Sequence, residues 1–260
     1  MPTETQAEIH VPAFMDGPRI IVPQISLGRD IEYRTDEKRN TLSAVRYQDF
    51  KPATLAELRH AYFDKDEKGV FVSPDYRQSV LSARGRGEWT STFLRDGKES
   101  AERPERVIYD GGIWMAEGGK VTPVELPGDG WTLEYDKPTG FPSRTSSNRN
   151  DAHKIFGDDT SYFYATRNGL RAVLRNFNLG GDGPFSVDAG FEPDGRNSDV
   201  GSRSCGRSEQ DAQRLATSHV VSADDQPVYV MGQTEYDVLT RVAKDNTEVA
   251  DILPRITIKK

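Results

Sequence analysis

The side chains able to do chemistry are few and far apart. A single cysteine, Cys205, excludes an internal disulfide and a cysteine-rich zinc site. Four histidines, His10, His60, His153 and His219, are scattered, and none stands in a motif with a serine or cysteine nucleophile. The adjacent acids Asp158-Asp159 and Asp224-Asp225 read as solvated turn caps, not as a general acid and base. The glycine-rich run Leu179 to Gly183 has neither the Lys-Ser/Thr nor the strand-to-helix context of a phosphate loop. Asp194, Asn197 and Asp199 offer oxygens for calcium from one loop, at a spacing that matches no EF-hand. The expectation is a protein that is not an enzyme and has no cofactor and no metal site.

Composition narrows the alternatives. At 260 residues the chain suits one sizeable domain with appendages, or two small ones. Apolar residues make up 35% and the mean hydropathy is −0.69, yet three Trp, ten Tyr and eleven Phe supply area for a core. The 23 Gly and 15 Pro favour a loop-rich, β-containing fold over a helical bundle. A net charge of −7 gives no basic field, so neither nucleic acid nor an anionic membrane is an expected partner. With no 18-residue apolar run and no charged-then-apolar start, the expectation is a soluble protein made in the cytoplasm, without membrane insertion. Display on a virion or cell surface stays compatible with that.

The elements that would position any site follow from periodicity. Arg19 to Ile25 (RIIVPQI) reads as a strand that Pro23 confines to an edge or a bend. Residues 1–45 are either an attachment or oligomerisation arm or an edge packed on the main domain. Thr54 with Glu57 three residues on predicts a capped helix through Tyr62, carrying His60 at a partly buried or exposed position. Ser73-Pro74 opens a second helix. Trp89 to Leu94, Val107 to Tyr109 and Trp131 to Tyr135 read as strands. Ile113 to Ala116 and Val121 to Leu126 read as a hairpin across Glu117-Gly118-Gly119, and Tyr162 to Ala165 with Leu170 to Leu174 as another across Asn168-Gly169. Ser143 to Asp151 reads as a long exposed polar loop, of the kind where binding residues collect, and His153 is read as lying in the polar loop. After Arg207, helices over 208–216 and 235–244 and strands over 226–231 and 255–259 are expected.

One stretch concentrates the remaining signal. From Gly169 to Arg207 the chain runs LRAVLR, then Gly183 to Ala189 with Phe185, Val187 and Ala189 on one strand face, then a polar loop, then Val200 to Cys205 (VGSRSC). Together with Gly87 to Leu94, Gly130 to Glu134 and Asp159 to Phe163, this order resembles the formylglycine-generating-enzyme-like branch of the C-type lectin fold. Within that branch it is most similar to the variable proteins of diversity-generating retroelements, which include phage receptor-binding proteins. The resemblance covers roughly residues 46–207 and implies an α+β fold with two early helices before the Trp89 strand. It leaves 1–45 as an N-terminal segment. It also leaves 208–260 as a C-terminal extension, packed on the core or at an assembly interface. The enzymes of the branch use paired cysteines, and this chain has one, so Cys205 is expected to pack as a small hydrophobe.

In the resembling family, adenine mutagenesis of template asparagine codons diversifies chosen surface positions, with an alphabet that lacks Lys, Glu, Gln, Trp and Met. The positions implied here are Asn176, Asn178, Asp182, Asp188, Gly190, Phe191, Gly195, Asn197 and Asp199, with Arg196 and Ser198 as further candidates. None of the nine is an excluded type. Phe185, Val187, Ala189, Val200 and Arg203 would hold the backbone while these change. Phe191 is expected either as an exposed contact hot spot or as a core side chain reached from the loop. The implied function is recognition of a host surface protein or other macromolecular ligand, with a homo-oligomer adding avidity. The alternative is a formylglycine-generating-enzyme-like or calcium-binding lectin-type domain without diversification.

Overall fold

Four short strands precede any helix: β1 (Glu8–Val11), β2 (Phe14–Asp16), β3 (Arg19–Val22) and β4 (Ile25–Gly28). The computed structural model describes residues 8–17, 19–32, 40–47, 51–83, 85–165, 168–178 and 181–207, with the strands Tyr229–Met231 and Ile256–Ile258. The RIIVPQI run is two strands, since Pro23 has no N–H to give a ladder. β3 pairs with β2, and β4 pairs with β1.

Three helices follow: α1 (Thr41–Tyr47), α2 (Leu55–Phe63) and α3 (Pro74–Ser82). The capping box at α2 forms as the spacing predicts, with Thr54 N–H donating to Glu57 Oε2 at 2.7 Å and Glu57 N–H to Thr54 Oγ1 at 3.3 Å. Next come β5 (Gly87–Arg95), β6 (Glu99–Glu102), β7 (Arg106–Asp110), β8 (Ile113–Glu117), β9 (Lys120–Pro123), β10 (Gly130–Tyr135) and β11 (Pro142–Ser146). Helix α4 (Arg149–Phe156), β12 (Tyr162–Tyr164), β13 (Leu170–Asn178), β14 (Gly183–Phe191), β15 (Val200–Gly201) and β16 (Cys205–Arg207) complete the unit Met1–Ser208.

Nine of these strands form one mixed sheet in the order β11-β10-β12-β14-β13-β5-β6-β9, with β15 parallel to β5 off that path. β16 returns to pair with β4, so β4 lies between two partners and is not an edge. The unit is α+β and sheet-dominated, with four α-helices among the described residues. In the unit Glu209–Lys260, β17 (Tyr229–Met231) and β18 (Ile256–Ile258) pair in parallel. The helices expected over 208–216 and 235–244, and the role expected for 208–260, lie outside the described residues.

Three expectations are corrected, each for a physical reason. β8 turns back on β7 rather than pairing with the strand after it, because Gly111 and Gly112 adopt φ of 53° and 86° and close a two-residue turn. The strand after it, β9, pairs with β6 instead. β12 does not form a hairpin with β13, because β14 inserts between them, parallel to β12 and antiparallel to β13. The polar stretch 143–151 is not a loop: β11 pairs with β10, and α4 starts at an Asn148 cap whose side chain accepts from Asn150 N–H at 3.0 Å. Only Ala152 of α4 is buried, and the first turn, Arg149 to Asp151, is wholly polar; the apolar residues at helical spacing, Ala152, Ile155 and Phe156, come after it.

The sheet has a core on each side. Leu55, Leu58 and Tyr62 of α2 pack with Phe163, Val173, Phe185 and Val187 on one face. Trp89, Phe93, Leu174 and Val200 gather with Ala44 of α1 on the other. Ile9, Val11, Ile25 and Leu27 join the first cluster, so β1 and β4 are part of this core. Cys205 is fully buried there. His60 is also buried, against expectation, its ring held between Asp64 at 2.8 Å and the Pro12 carbonyl at 3.1 Å.

A buried ionic cluster ties the elements together. Glu88 of β5 accepts from Arg203 Nε at 3.1 Å, from an Arg175 guanidinium nitrogen at 3.3 Å and from the Tyr76 hydroxyl at 3.2 Å. Arg203 donates further to the Gly28 carbonyl at 2.7 Å and to Ser79 Oγ at 3.1 Å. Burial, then the Glu88 charge, pushes the Tyr76 hydroxyl pKa far up, so it stays a donor. Removing Glu88 would leave two buried guanidinium groups without their shared carboxylate, so Glu88→Ala is expected to cost about 3–5 kcal/mol in urea unfolding.

Glu102 on β6 is buried, and its Oε1 has no hydrogen-bond partner. Burial above all, opposed by Lys120 and reinforced by the Asp136 charge, raises its pKa from 4.5 to about 7. The folded state therefore holds this proton more tightly than the unfolded chain. Its contribution to stability is complete below about pH 4.5 and is lost as the pH rises through about 7. Glu102→Gln, neutral throughout, is expected to raise stability above pH 7 by on the order of 2–3 kcal/mol and to flatten that dependence in pH-resolved unfolding curves.

Candidate ligand-binding surface

Strand β14 carries the alternation that defines the surface. Phe185, Val187 and Ala189 are buried toward the α2 side, which turns Ser186, Asp188 and Gly190 to the opposite face. Asp188 stands in register with Tyr164 of β12 on one side and Leu174 of β13 on the other. Asn176 of β13 is in register with Ser186 and is half-buried.

Beside Asp188 runs a ladder of half-buried aromatic rings. Trp131 of β10 pairs with Tyr162, and their rings meet edge to face at 5.4 Å. Tyr162 and Tyr164, two residues apart on one face of β12, have ring centroids 4.7 Å apart. The exposed Arg149, at the start of α4, sets its guanidinium 5.2 Å from the Trp131 ring centre.

Asp182 closes the far end. The Tyr164 hydroxyl donates to Asp182 Oδ2 at 2.5 Å. Its turn is fixed from both sides, since the Asp182 carbonyl accepts from Tyr162 N–H at 3.0 Å and from Ser186 Oγ at 2.6 Å. The next residue, Gly183, has φ of 90°, and a Cβ there would lie 1.5 Å from the Thr160 carbonyl oxygen, so only glycine fits. Burial raises the Asp188 carboxyl pKa. The Gly190 N–H that it accepts at 2.9 Å works against this, and the nearby Asp129 charge adds to it.

The loop after β14 is pinned at intervals. Leu42 N–H donates to the Pro193 carbonyl at 3.0 Å, and Gly195 N–H to the Glu192 carbonyl at 2.9 Å. Asn197 is half-buried and uses its Oδ1 to accept from Asp199 N–H at 2.9 Å. The Asp199 carbonyl accepts from Gly87 N–H at 2.8 Å, leaving its carboxylate exposed. Among the described residues no three His, Cys, Asp or Glu side chains converge to hold a metal ion, and the calcium candidates Asp194 and Asp199 belong to no such group.

Eight of the nine expected positions therefore fall into two sets. Asp182, Asp188 and Gly190 lie along the aromatic ladder or its strand, with Asn176 next to them on β13 and Asn178 ending that strand opposite Gly183. Gly195, Asn197 and Asp199 belong to the pinned loop. Phe191 belongs to neither. It is half-buried, and its ring meets Trp89 edge to face at 5.5 Å, packed against the second core cluster, which agrees with the second of its two readings, a side chain reaching the core. The ladder itself was missed by sequence reasoning. The Tyr-Phe-Tyr alternation of 162–164 was the available signal, but nothing local shows that Trp131 is its neighbour.

No family model, no curated protein and no solved structure matches this chain.

Phe191→Ala is expected to lower stability by roughly 2–3 kcal/mol in denaturant unfolding, because the ring is part of a core. Asp199→Ala, at an exposed carboxylate, is expected to stay within about 0.5 kcal/mol of the parent.

Proposed function

We propose that the chain is a non-enzymatic ligand-binding protein of the C-type lectin fold, whose sheet face and following loop are diversified by a retroelement. On this reading it recognises a host surface protein or another macromolecular ligand, and it is carried by a virus or prophage. One observation carries it: the residues that must stay fixed and those free to vary separate by burial. Phe185, Val187, Ala189, Val200 and Arg203 are all buried, whereas Asp188, Gly190, Asn197 and Asp199 between them are half-buried or exposed. Substitutions on the open face leave the core contacts intact, and such changes cost little. Three helices precede β5, and two of them, α2 and α3, are the pair that the resemblance implies.

Presentation in several copies would turn a weak single-site contact into a firm one. The DNA flanking the gene tests the proposal. The expected result is a near-copy of the segment encoding Gly169 to Arg207, near a reverse-transcriptase gene, differing at adenines in the codons for 182, 188, 197 and 199. A flank without such a copy overturns the diversification reading.

A further inference from the structure

The ladder has a chemistry of its own. Trp131, Tyr162 and Tyr164 present half-buried rings on one face, and Asp129, Asp182 and Asp188 lie around them. Asp182 accepts from the Tyr164 hydroxyl, Asp188 stands in register with Tyr164, and Asp129 accepts from the N–H of the next residue, Ala165, so three acidic residues lie beside Tyr164. Asp129 is exposed and spends one oxygen on Ala165 N–H at 2.6 Å, and Asp188 one oxygen on Gly190 N–H. Among the described residues no Lys, Arg or His forms an ion pair with Asp129 or Asp188.

Negative carboxylates beside the negative faces of aromatic rings suit a cation that is partly desolvated. At one end of this ladder the position is already filled from within the chain, by Arg149 over Trp131. Beyond Trp131 the rings of Tyr162 and Tyr164 continue the same surface with carboxylates and no such cation among the described residues.

We infer that the ligand of this surface is a basic polypeptide segment, whose Arg or Lys side chain lies over Tyr162 and Tyr164 and pairs with Asp188 and Asp129. Arg is favoured over Lys, because its planar guanidinium both stacks on a ring and bridges a carboxylate. The net charge of −7 assists its approach. The inference rests on the binding-surface reading above and names the chemistry of its ligand.

The test is calorimetric titration of the full chain with an acetylated, amidated hexa-arginine peptide at low and moderate salt. Saturable binding is expected. It should weaken about five- to tenfold in the double variant Asp129→Asn/Asp188→Asn, and also in Tyr162→Leu. Asparagine keeps the oxygens that accept from Ala165 and Gly190, so an unchanged melting temperature in the double variant confirms that only charge was lost. Asp75→Asn/Asp110→Asn removes equal charge from exposed sites on α3 and β7 and is expected to bind like the parent.

No saturable binding, or an equal loss in both double variants, overturns the inference. Ring-dependent binding of the neutral chitohexaose without binding of hexa-arginine likewise overturns the cationic class, and it leaves the surface as a binding site. The flanking DNA is read independently. Template mismatches at codons 182 and 188 together with failed peptide binding would leave diversification standing and remove only the ligand class.

Discussion

Glu88 is the point on which the unit turns. Two guanidinium groups and a phenol share one buried carboxylate, and these four side chains come from β5, β13, α3 and the segment after β15. Burying such charges is costly unless each is paired and hydrogen-bonded, so the arrangement is tolerated only with all its members in place. It is a constraint on geometry more than a source of net stability. Arg203 also reaches the Gly28 carbonyl at the end of β4, which draws the N-terminal sheet to the same point. The end of β4 and the segment after β15 are thereby tied to β5.

That constraint explains how the surface can stay permissive. Arg175 alternates along β13 with Leu174 and Asn176, so anchoring Arg175 on the helix side fixes which residues face the other way. The loop from Glu192 to Asp199 is held mainly by backbone groups: the Pro193 and Asp199 carbonyls and the Gly195 N–H. Bonds through the backbone survive a change of side chain. Asn197 and Asp188 are exceptions, because their side-chain oxygens accept from the N–H two residues on, and they carry some structural weight with any contact role. Phe191 goes further and belongs to the core around Trp89.

Much of the local structure was legible. The capping box of α2, the proline that opens α3 and the face formed by Phe185, Val187 and Ala189 each rest on residues within four positions of one another. The two hairpins read around Gly118-Gly119 and Asn168-Gly169 failed because a turn signal says that a chain can reverse and not which strand it will meet. The start of α4 was read as part of a loop because its first turn, Arg149 to Asp151, is wholly polar and its apolar spacing begins only at Ala152. Of the candidate surface, the β14 positions and the loop were legible as a segment, while the ring of Trp131, distant in sequence, was not.

Alone, the sequence determined a cysteine-poor, acidic chain with one capped helix, a second helix opened by a proline, and a strand whose odd positions must be buried. Those properties follow from short-range chemistry: side-chain alternation, capping and charge. Tertiary structure decided that β14 inserts between β12 and β13, that Glu88 serves Arg175 and Arg203 at once, and that Tyr162 and Tyr164 stand beside Trp131 with Asp182 and Asp188. These are pairings across tens of residues. They are selected by the joint burial of both sheet faces and the satisfaction of one buried carboxylate, neither of which any single stretch of chain contains.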